Sequence, residues 1–264
     1  MNGQAVPSHN VSGDHDQTTV YYIVGRPRSG STFVGNWIAQ QLDILNAGEV
    51  WQTFRAMDRV EATGELGRWG EPENKRAKAA EISGNAFWSD VLARPEQDPY
   101  AALLAVAGPR WGALVDCSKT DRGIERYRAL GCRVVVVHTV RAFTSWQASL
   151  TGYRRKYDLS VPSRGRLLLN YLRLNRQYRE WRNSLPYRVV PQERLPRIAE
   201  FLDLDALGAE TGPGYSNAEM FGTPGFSGQF DPARATQRIT AFDRLVYAMI
   251  HVRPGPAAAS GVRS

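Results

Sequence analysis

The chain has 264 residues, 42% of them hydrophobic, 10% aromatic and 22% charged, which suits one α/β domain of ordinary composition or at most two small ones. Whole-chain disorder is excluded by that hydrophobic content, and runs such as 134–137 (VVVV) and 103–107 (LLAVA) are far short of the roughly 20 apolar residues a bilayer helix needs. The formal charge of +7 is carried by arginine, since only Lys75, Lys78, Lys119 and Lys156 are lysines. The excess is local: residues 151–200 hold twelve Arg or Lys against four Asp or Glu. Such a surface implies an anionic partner, and nucleic acid, a membrane surface and a phosphorylated small molecule all qualify.

In chain order, residues 1–18 (MNGQAVPSHNVSGDHDQT) are polar, lack the apolar segment of a secretory signal and read as a disordered tail, so the expected location is cytoplasmic. Residues 19–24 (TVYYIV) are β-branched and aromatic, a buried strand. Residues 31–45 follow with apolar side chains at Phe33, Trp37, Ile38, Leu42 and Leu45, a helical stripe. An excursion over about 50–110 carries a glycine-rich stretch, predicted helices at 75–92 and 99–107, and Trp51, Trp69 and Trp88. Predicted strands follow at 113–115 and 133–140, a helix at 166–183, a strand at 187–190 and a helix at 194–204. Residues 208–229 read as loop, 243–247 as the last helix and 254–264 as a second disordered tail. Strands alternating with helices predict a parallel, doubly wound sheet in a single domain over 19–253. Cys117 and Cys132 supply neither a disulfide framework nor a metal set and read as buried core residues.

The first strand runs into Gly25-Arg-Pro-Arg-Ser-Gly-Ser-Thr32 and then a helix. Strand, glycine-bounded loop and helix N-terminus make an anion cradle: amide N–H groups point inward and the helix dipole favours negative charge. Ser29, Ser31 and Thr32 add hydroxyl donors. The spacing is that of a triphosphate loop, G-x-x-x-x-G-K-[ST], except that Ser31 stands at the lysine position. A cation stands instead inside the loop, at Arg28. The loop wants a phosphate, but lacks the main contact of an ordinary NTPase or kinase.

Pro27–Thr32 (PRSGST) after a strand resembles the 5′-phosphosulfate loop of sulfotransferases that use 3′-phosphoadenosine 5′-phosphosulfate (PAPS). The strand 134–140 then runs into Arg141 with Ser149 eight residues on (RAFTSWQAS), similar to the arginine and serine that hold the 3′-phosphate in that family. The turn departs from the family's Arg-Asp-Pro-Arg, reading Arg-Ala-Phe-Thr, while both ligand positions stay filled. Residues 45–49 (LNAGE) resemble the Gly-Glu of tyrosylprotein and bacterial carbohydrate sulfotransferases, whose carboxylate is the catalytic base. Residues 115–119 (VDCSK) are similar to the Asp-Ser-Ser-Lys and Asn-Lys-Asp segments of the same members. The plain alternatives are an exposed loop glutamate and a surface lysine.

The resemblance covers about residues 19–150 and thins beyond. It implies a three-layer α/β sandwich with a central parallel sheet, the P-loop-like sulfotransferase fold. It implies catalytic roles for Glu49 as base and for Arg28 and Lys119 at the departing oxygen. It implies PAPS contacts, retained by the product 3′,5′-adenosine bisphosphate (PAP), from Arg26, Arg28, Ser29, Gly30, Ser31, Thr32, Arg141 and Ser149, with no metal. The acceptor is expected to be a small molecule with a hydroxyl, a natural product or a carbohydrate, stacking on Trp51, Phe54, Trp69, Phe87 or Trp88. A cofactor lid is expected near 213–234, with 228–234 as the nearest candidate. Members are often homodimers; no nucleic acid or membrane partner is expected. The alternative is an atypical nucleotide kinase or NTPase, for which Asp116 is the available magnesium ligand. The arginines of 151–200 flank the cofactor entrance, reach an acidic acceptor or make an interface, and His138 reads as a structural histidine.

Overall fold

The computed structural model describes residues 18–61, 72–200, 202–204, 212–221 and 239–252. Trp69, the lid candidate 228–234 and nearly all of both tails lie outside them. The first half comprises β1 (Thr19–Gly25), α1 (Ser31–Gln41), β2 (Leu45–Gly48), α2 (Val50–Ala56), α3 (Pro72–Gly84), α4 (Ala86–Leu92) and α5 (Pro99–Trp111). The second comprises β3 (Ala113–Lys119), α6 (Ile124–Ala129), β4 (Arg133–Val140), α7 (Phe143–Lys156), α8 (Arg164–Glu180), β5 (Tyr187–Pro191), β6 (Ser216–Asn217) and α9 (Ala241–Met249). Short 3₁₀ turns cover Trp181–Asn183 and Gln192–Glu200.

The six strands form one sheet in the order β5-β4-β1-β3-β2-β6, every pair parallel. Alternation of side chains builds its two faces. Val20, Tyr22, Val134 and Val136 pack with α2, α4 and α5, whereas Tyr21, Ile23, Val135 and Val137 pack with Val34 and Ile38 of α1 and with Leu195 and Ile198. A third cluster joins Phe143 and Trp146 of α7 to Tyr171 of α8 and Tyr247 of α9. The architecture is a three-layer α/β sandwich, helices on both faces of a buried parallel sheet.

Two strands had no sequence signal. LNAG carries no β-branched residue, and its leucine continues the helical stripe, yet α1 ends at Gln41 and Asp43 turns the chain with φ +52°. The two-residue β6 lies within the segment expected to be loop. The predicted helix over 75–92 is two helices, separated at Asn85, whose side chain caps α4 by accepting from Trp88 N. The helix expected at 194–204 is the 3₁₀ stretch instead.

Because all strands run the same way, their C-terminal ends share one edge. The register pairs Gly25 with Thr139, Val24 with Lys119 and Gly48 with Asp116. The glycine loop, Lys119, Glu49 and Arg141 are therefore neighbours, although they span more than ninety residues of sequence.

Candidate active site

The loop Gly25–Thr32 is built for close approach. A Cβ at Gly25 would lie 2.4 Å from Thr139 Oγ1, so only glycine lets β1 end against β4. Thr139 Oγ1 donates to the Val24 carbonyl at 3.2 Å and so accepts from Ser29 Oγ at 2.7 Å. Trp146 Nε1 donates to the Pro27 carbonyl at 3.0 Å. Gly30 is the left-handed N-cap of α1, with φ 94° and no side-chain cap, and no acidic residue stands in the first turn. The amides at the start of α1 thus keep their affinity for an anion.

Arg28 adopts φ +73°, a conformation costly for a residue with a Cβ. Its Nε donates to Ser149 Oγ at 3.4 Å, and its carbonyl accepts from Arg141 Nη1 at 3.2 Å. Arg141 Nε donates to Ser145 Oγ at 2.6 Å. Burial and then the adjacent Arg28 charge hold Arg141 below the usual guanidinium value. Two guanidiniums and two hydroxyls share this corner, and an anion between the cations would relieve their repulsion. Arg26 goes elsewhere: its guanidinium lies 5.0 Å over the Trp146 ring, and its Nε is buried with no hydrogen-bond partner among the described residues.

The scaffold behind Arg141 comes from later in the chain. Tyr171 OH donates to the Arg141 carbonyl at 2.5 Å, and Ala142 N donates to Glu193 Oε1 at 3.0 Å. Asp243 accepts from Thr144 N at 2.9 Å and from Thr144 Oγ1 at 2.7 Å, while forming a capping box with Thr240 for α9. Burial alone would raise the Asp243 carboxyl, but these bonds outweigh it and the net shift is downward.

On the other side of the loop, Lys119 Nζ donates to Glu49 Oε1, with both side chains mostly buried. Burial pushes the Glu49 carboxyl up; Lys119 opposes it without cancelling it. Burial alone would lower Lys119, but Glu49 and, more weakly, Glu219 raise it above its ordinary value, so it stays cationic. Attraction between the pair would by itself lower the carboxyl; the dehydration of Glu49 decides the sign there. Lys119 has φ +61°, and its carbonyl accepts from Tyr178 OH at 3.0 Å. Ser118 Oγ accepts from Trp51 N at 2.9 Å and donates to Asp116, fixing α2 and the Glu49 turn against β3.

Several residues escaped the sequence reading. Glu219, just past β6, faces Glu49 and Lys119, and its carboxyl is pushed up to about 7 by burial, with Lys119 opposing and Glu49 adding to the rise. Nothing in the local string AEM marks it. Ser145 stands one helical turn beyond Arg141, a spacing that could have drawn notice. The expected stacking set is corrected: Phe54 and Trp88 are fully buried and pack edge-to-face at 5.7 Å in the core. Phe87 is half-buried against Trp88 and Trp111. Trp51 is partly exposed, with the Arg122 guanidinium 5.3 Å over its ring.

Asp116 is fully buried; its oxygens accept from Ser118 and, at 3.0 Å, from Tyr127 OH, and burial pushes it up to about 7. His138 Nε2 donates to Asn175 Oδ1 at 2.9 Å, since the Asn175 amide nitrogen is bonded to the Tyr171 carbonyl, and Nδ1 then accepts from Tyr187 OH at 2.6 Å. Burial lowers this histidine to about 4, a neutral, fully used structural group. Two arginines of α8 are structural as well. Arg176 Nε donates to the Met249 carbonyl at 3.2 Å and Arg179 Nη1 to the Ile250 carbonyl at 3.3 Å, at the C-terminal end of α9.

A parallel α/β sheet with a glycine loop after its first strand, a guanidinium pair beside it and a Glu–Lys pair across it has the architecture of the P-loop-like class. Comparison with solved structures makes the fold specific. The chain is similar to the sulfotransferase domain from the Synechococcus PCC 7002 olefin synthase, with a TM-score of 0.56, 19% identity, and coverage of 92% of this chain and 98% of that one. It is similar to the sulfotransferase domain from the curacin biosynthetic pathway, with a TM-score of 0.56, 15% identity, and coverage of 89% and 98%. The fold is that of sulfotransferase domains. No protein-family model and no curated protein matches the chain. Among the described residues no helix is long and apolar enough to cross a membrane, and no cluster of three or more His, Cys, Asp or Glu is placed to hold a metal.

Proposed function

We propose that the protein is a PAPS-dependent sulfotransferase acting on a hydroxyl of a small molecule. The observation that carries this reading is the convergence, on one sheet edge, of the Arg28–Arg141–Ser149 corner with the Glu49–Lys119 pair. The donor set fits the cofactor. An uncapped helix start suits a 5′-phosphosulfate, and a guanidinium and hydroxyl one short helix segment away suit a 3′-phosphate.

PAPS supplies an activated sulfuryl group bonded to a phosphate that leaves well. The residues supply position and charge. Arg28 and the α1 amides hold the phosphosulfate, and Arg141 with Ser149 holds the 3′-phosphate. Ser29, bonded to Thr139, shapes the loop from beneath. Glu49 accepts the acceptor's proton as the hydroxyl attacks, and its raised pKa improves its match to that task near neutral pH. Lys119, fixed and cationic, stabilises charge on the bridging oxygen. The two neighbours come from an olefin synthase and a biosynthetic pathway, which favours a natural-product-like acceptor. Trp51 with Arg122 is the surface from this chain best suited to meet it. A kinase reading fares worse, because Asp116 spends both oxygens on Ser118 and Tyr127.

The test is thermal unfolding with PAP, 5′-AMP or Mg-ATP. Ligands that bind only the native state stabilise by about 2.7 kcal/mol at a hundred times Kd. Stabilisation by PAP, little by AMP, and its loss in Arg141→Ala are the expected results. Stabilisation by Mg-ATP alone would overturn the reading.

A further inference from the structure

Glu219 stands over the turn that carries Glu49. A Cβ on Gly48 would lie 2.6 Å from the Glu219 Cα and 2.7 Å from its Cβ, so the two backbones touch. The segment is pinned: Ala218 N donates to the Asn46 carbonyl at 2.8 Å, Trp88 Nε1 donates to the Ala218 carbonyl at 2.6 Å, and Glu219 N donates to Asn217 Oδ1 at 3.0 Å. The carboxyl faces Asn36 and Thr32 of α1, Lys119 at the end of β3, and Glu49. Cys117 of β3 and Tyr215 of its own segment are the other titratable groups beside it. Its Oε1 is buried with no hydrogen-bond partner among the described residues. Thr32 is the second residue of the helix whose start forms the anion cradle. The carboxylate thus lies against the first turn of α1, with the charge of Lys119, itself paired with Glu49, nearby.

We propose that Glu219 is a specificity residue of the donor site, a proposal that rests on the sulfotransferase reading: its carboxylate competes with the phosphosulfate for Thr32 and Lys119, and donor binding makes Glu219 take up a proton. The proton comes from solvent and no covalent bond changes. Once neutral, the carboxylic acid donates its O–H to an oxygen of the bound anion instead of repelling it. Uptake is easy near neutral pH, because the carboxyl is already pushed up to about 7 before any ligand arrives. The arrangement also penalises a terminal phosphoryl group, which carries more charge than a sulfuryl group at the same place.

The experiment is calorimetric titration of PAP between pH 6 and pH 8.5, in buffers of differing ionisation enthalpy, for the wild type, Glu219→Gln and Glu219→Ala. Binding of PAP to a cationic site alone releases protons, because the site favours the fully ionised phosphates. The wild type is expected to take up more protons than either variant, by up to one, and the variants' affinity advantage is expected to grow by up to tenfold per unit above about pH 7. Equal proton uptake in all three proteins overturns the role of Glu219 and leaves the sulfotransferase reading standing. So does weaker binding by both variants at every pH. Failure of PAP to bind any of the three overturns the donor-site reading, and this proposal with it. Two variants guard against one that fails to fold, and thermal unfolding without ligand reports that directly.

Discussion

The two halves of the sheet edge are made differently. On the side proposed for the donor, between β1 and β4, the loop is held by backbone and hydroxyl bonds, from Trp146 Nε1 to the Pro27 carbonyl and from Ser29 to Thr139. Its cations sit close together with hydroxyls for company. On the side proposed for the acceptor, α2 to α5 pack most of their aromatics inward, with Phe54, Trp88 and Tyr100 buried against one another. What reaches toward the site there is sparse: Glu49, Trp51 and the Arg122 that covers it. A fixed ligand calls for groups at strand ends in set positions, whereas the excursion spends most of its large side chains on its own core.

Substitutions that separate the halves should therefore differ in kind. Glu49→Gln keeps the shape and removes the proposed base. Turnover should fall by about 10²–10⁴ in a sulfuryl-transfer assay with an accepted hydroxyl, with PAP binding retained. In the wild type the base must be ionised, so turnover should fall on the acid side at a pH above the usual glutamate range, given the upward shift. Equal loss of PAP binding would place Glu49 on the donor side instead. Trp88→Ala empties a fully buried site and breaks the bond to Ala218, so it should cost about 3–5 kcal/mol in denaturant unfolding. A loss below about 1 kcal/mol would mean the excursion's core tolerates the cavity.

Arg141→Ala should weaken PAP by roughly 10- to 100-fold, the worth of charge-assisted bonds of about 1.5–3 kcal/mol, while acceptor KM changes little. Arg176→Ala should do least. It loosens one contact at the end of α9 and should cost roughly 0.3–1 kcal/mol in thermal unfolding, without a change in affinity for a polyanion such as heparin. A large loss of heparin binding would restore a role in nucleic-acid or surface binding for that arginine face.

How much of this a linear reading reaches depends on how far apart the cooperating residues stand in the chain. The buried strands β1 and β4 were plain in TVYYIV and VVVV, because parallel strands covered on both faces are apolar throughout. The glycine loop was legible from its own strand–loop–helix string, and Arg141 with Ser149, close together in sequence, through a family likeness. Glu49 and Lys119 were read through the same likeness, and nothing near either residue names the other as its partner across about seventy positions. Strand β2 hid inside the helical stripe before it, and β6, two residues long, exists by pairing with β2. Glu219 depends on that pairing and was out of reach. The aromatics of the excursion were misread for a related reason: composition reports how many rings are present, while their direction is set by the tertiary core.

Asp243 joins two helix beginnings, its own and that of α7, with one carboxylate. The stretch holding Arg141 and Ser149 thus leans on a residue about a hundred positions downstream. A chain that stops before Thr240 keeps the six described strands and the residues proposed to bind the donor, yet lacks the group that anchors the first turn of α7. The same cut removes Tyr247 from the core cluster beneath α7 and frees Glu193, which holds Ala142 N, so stability and the placement of Arg141 would be lost together.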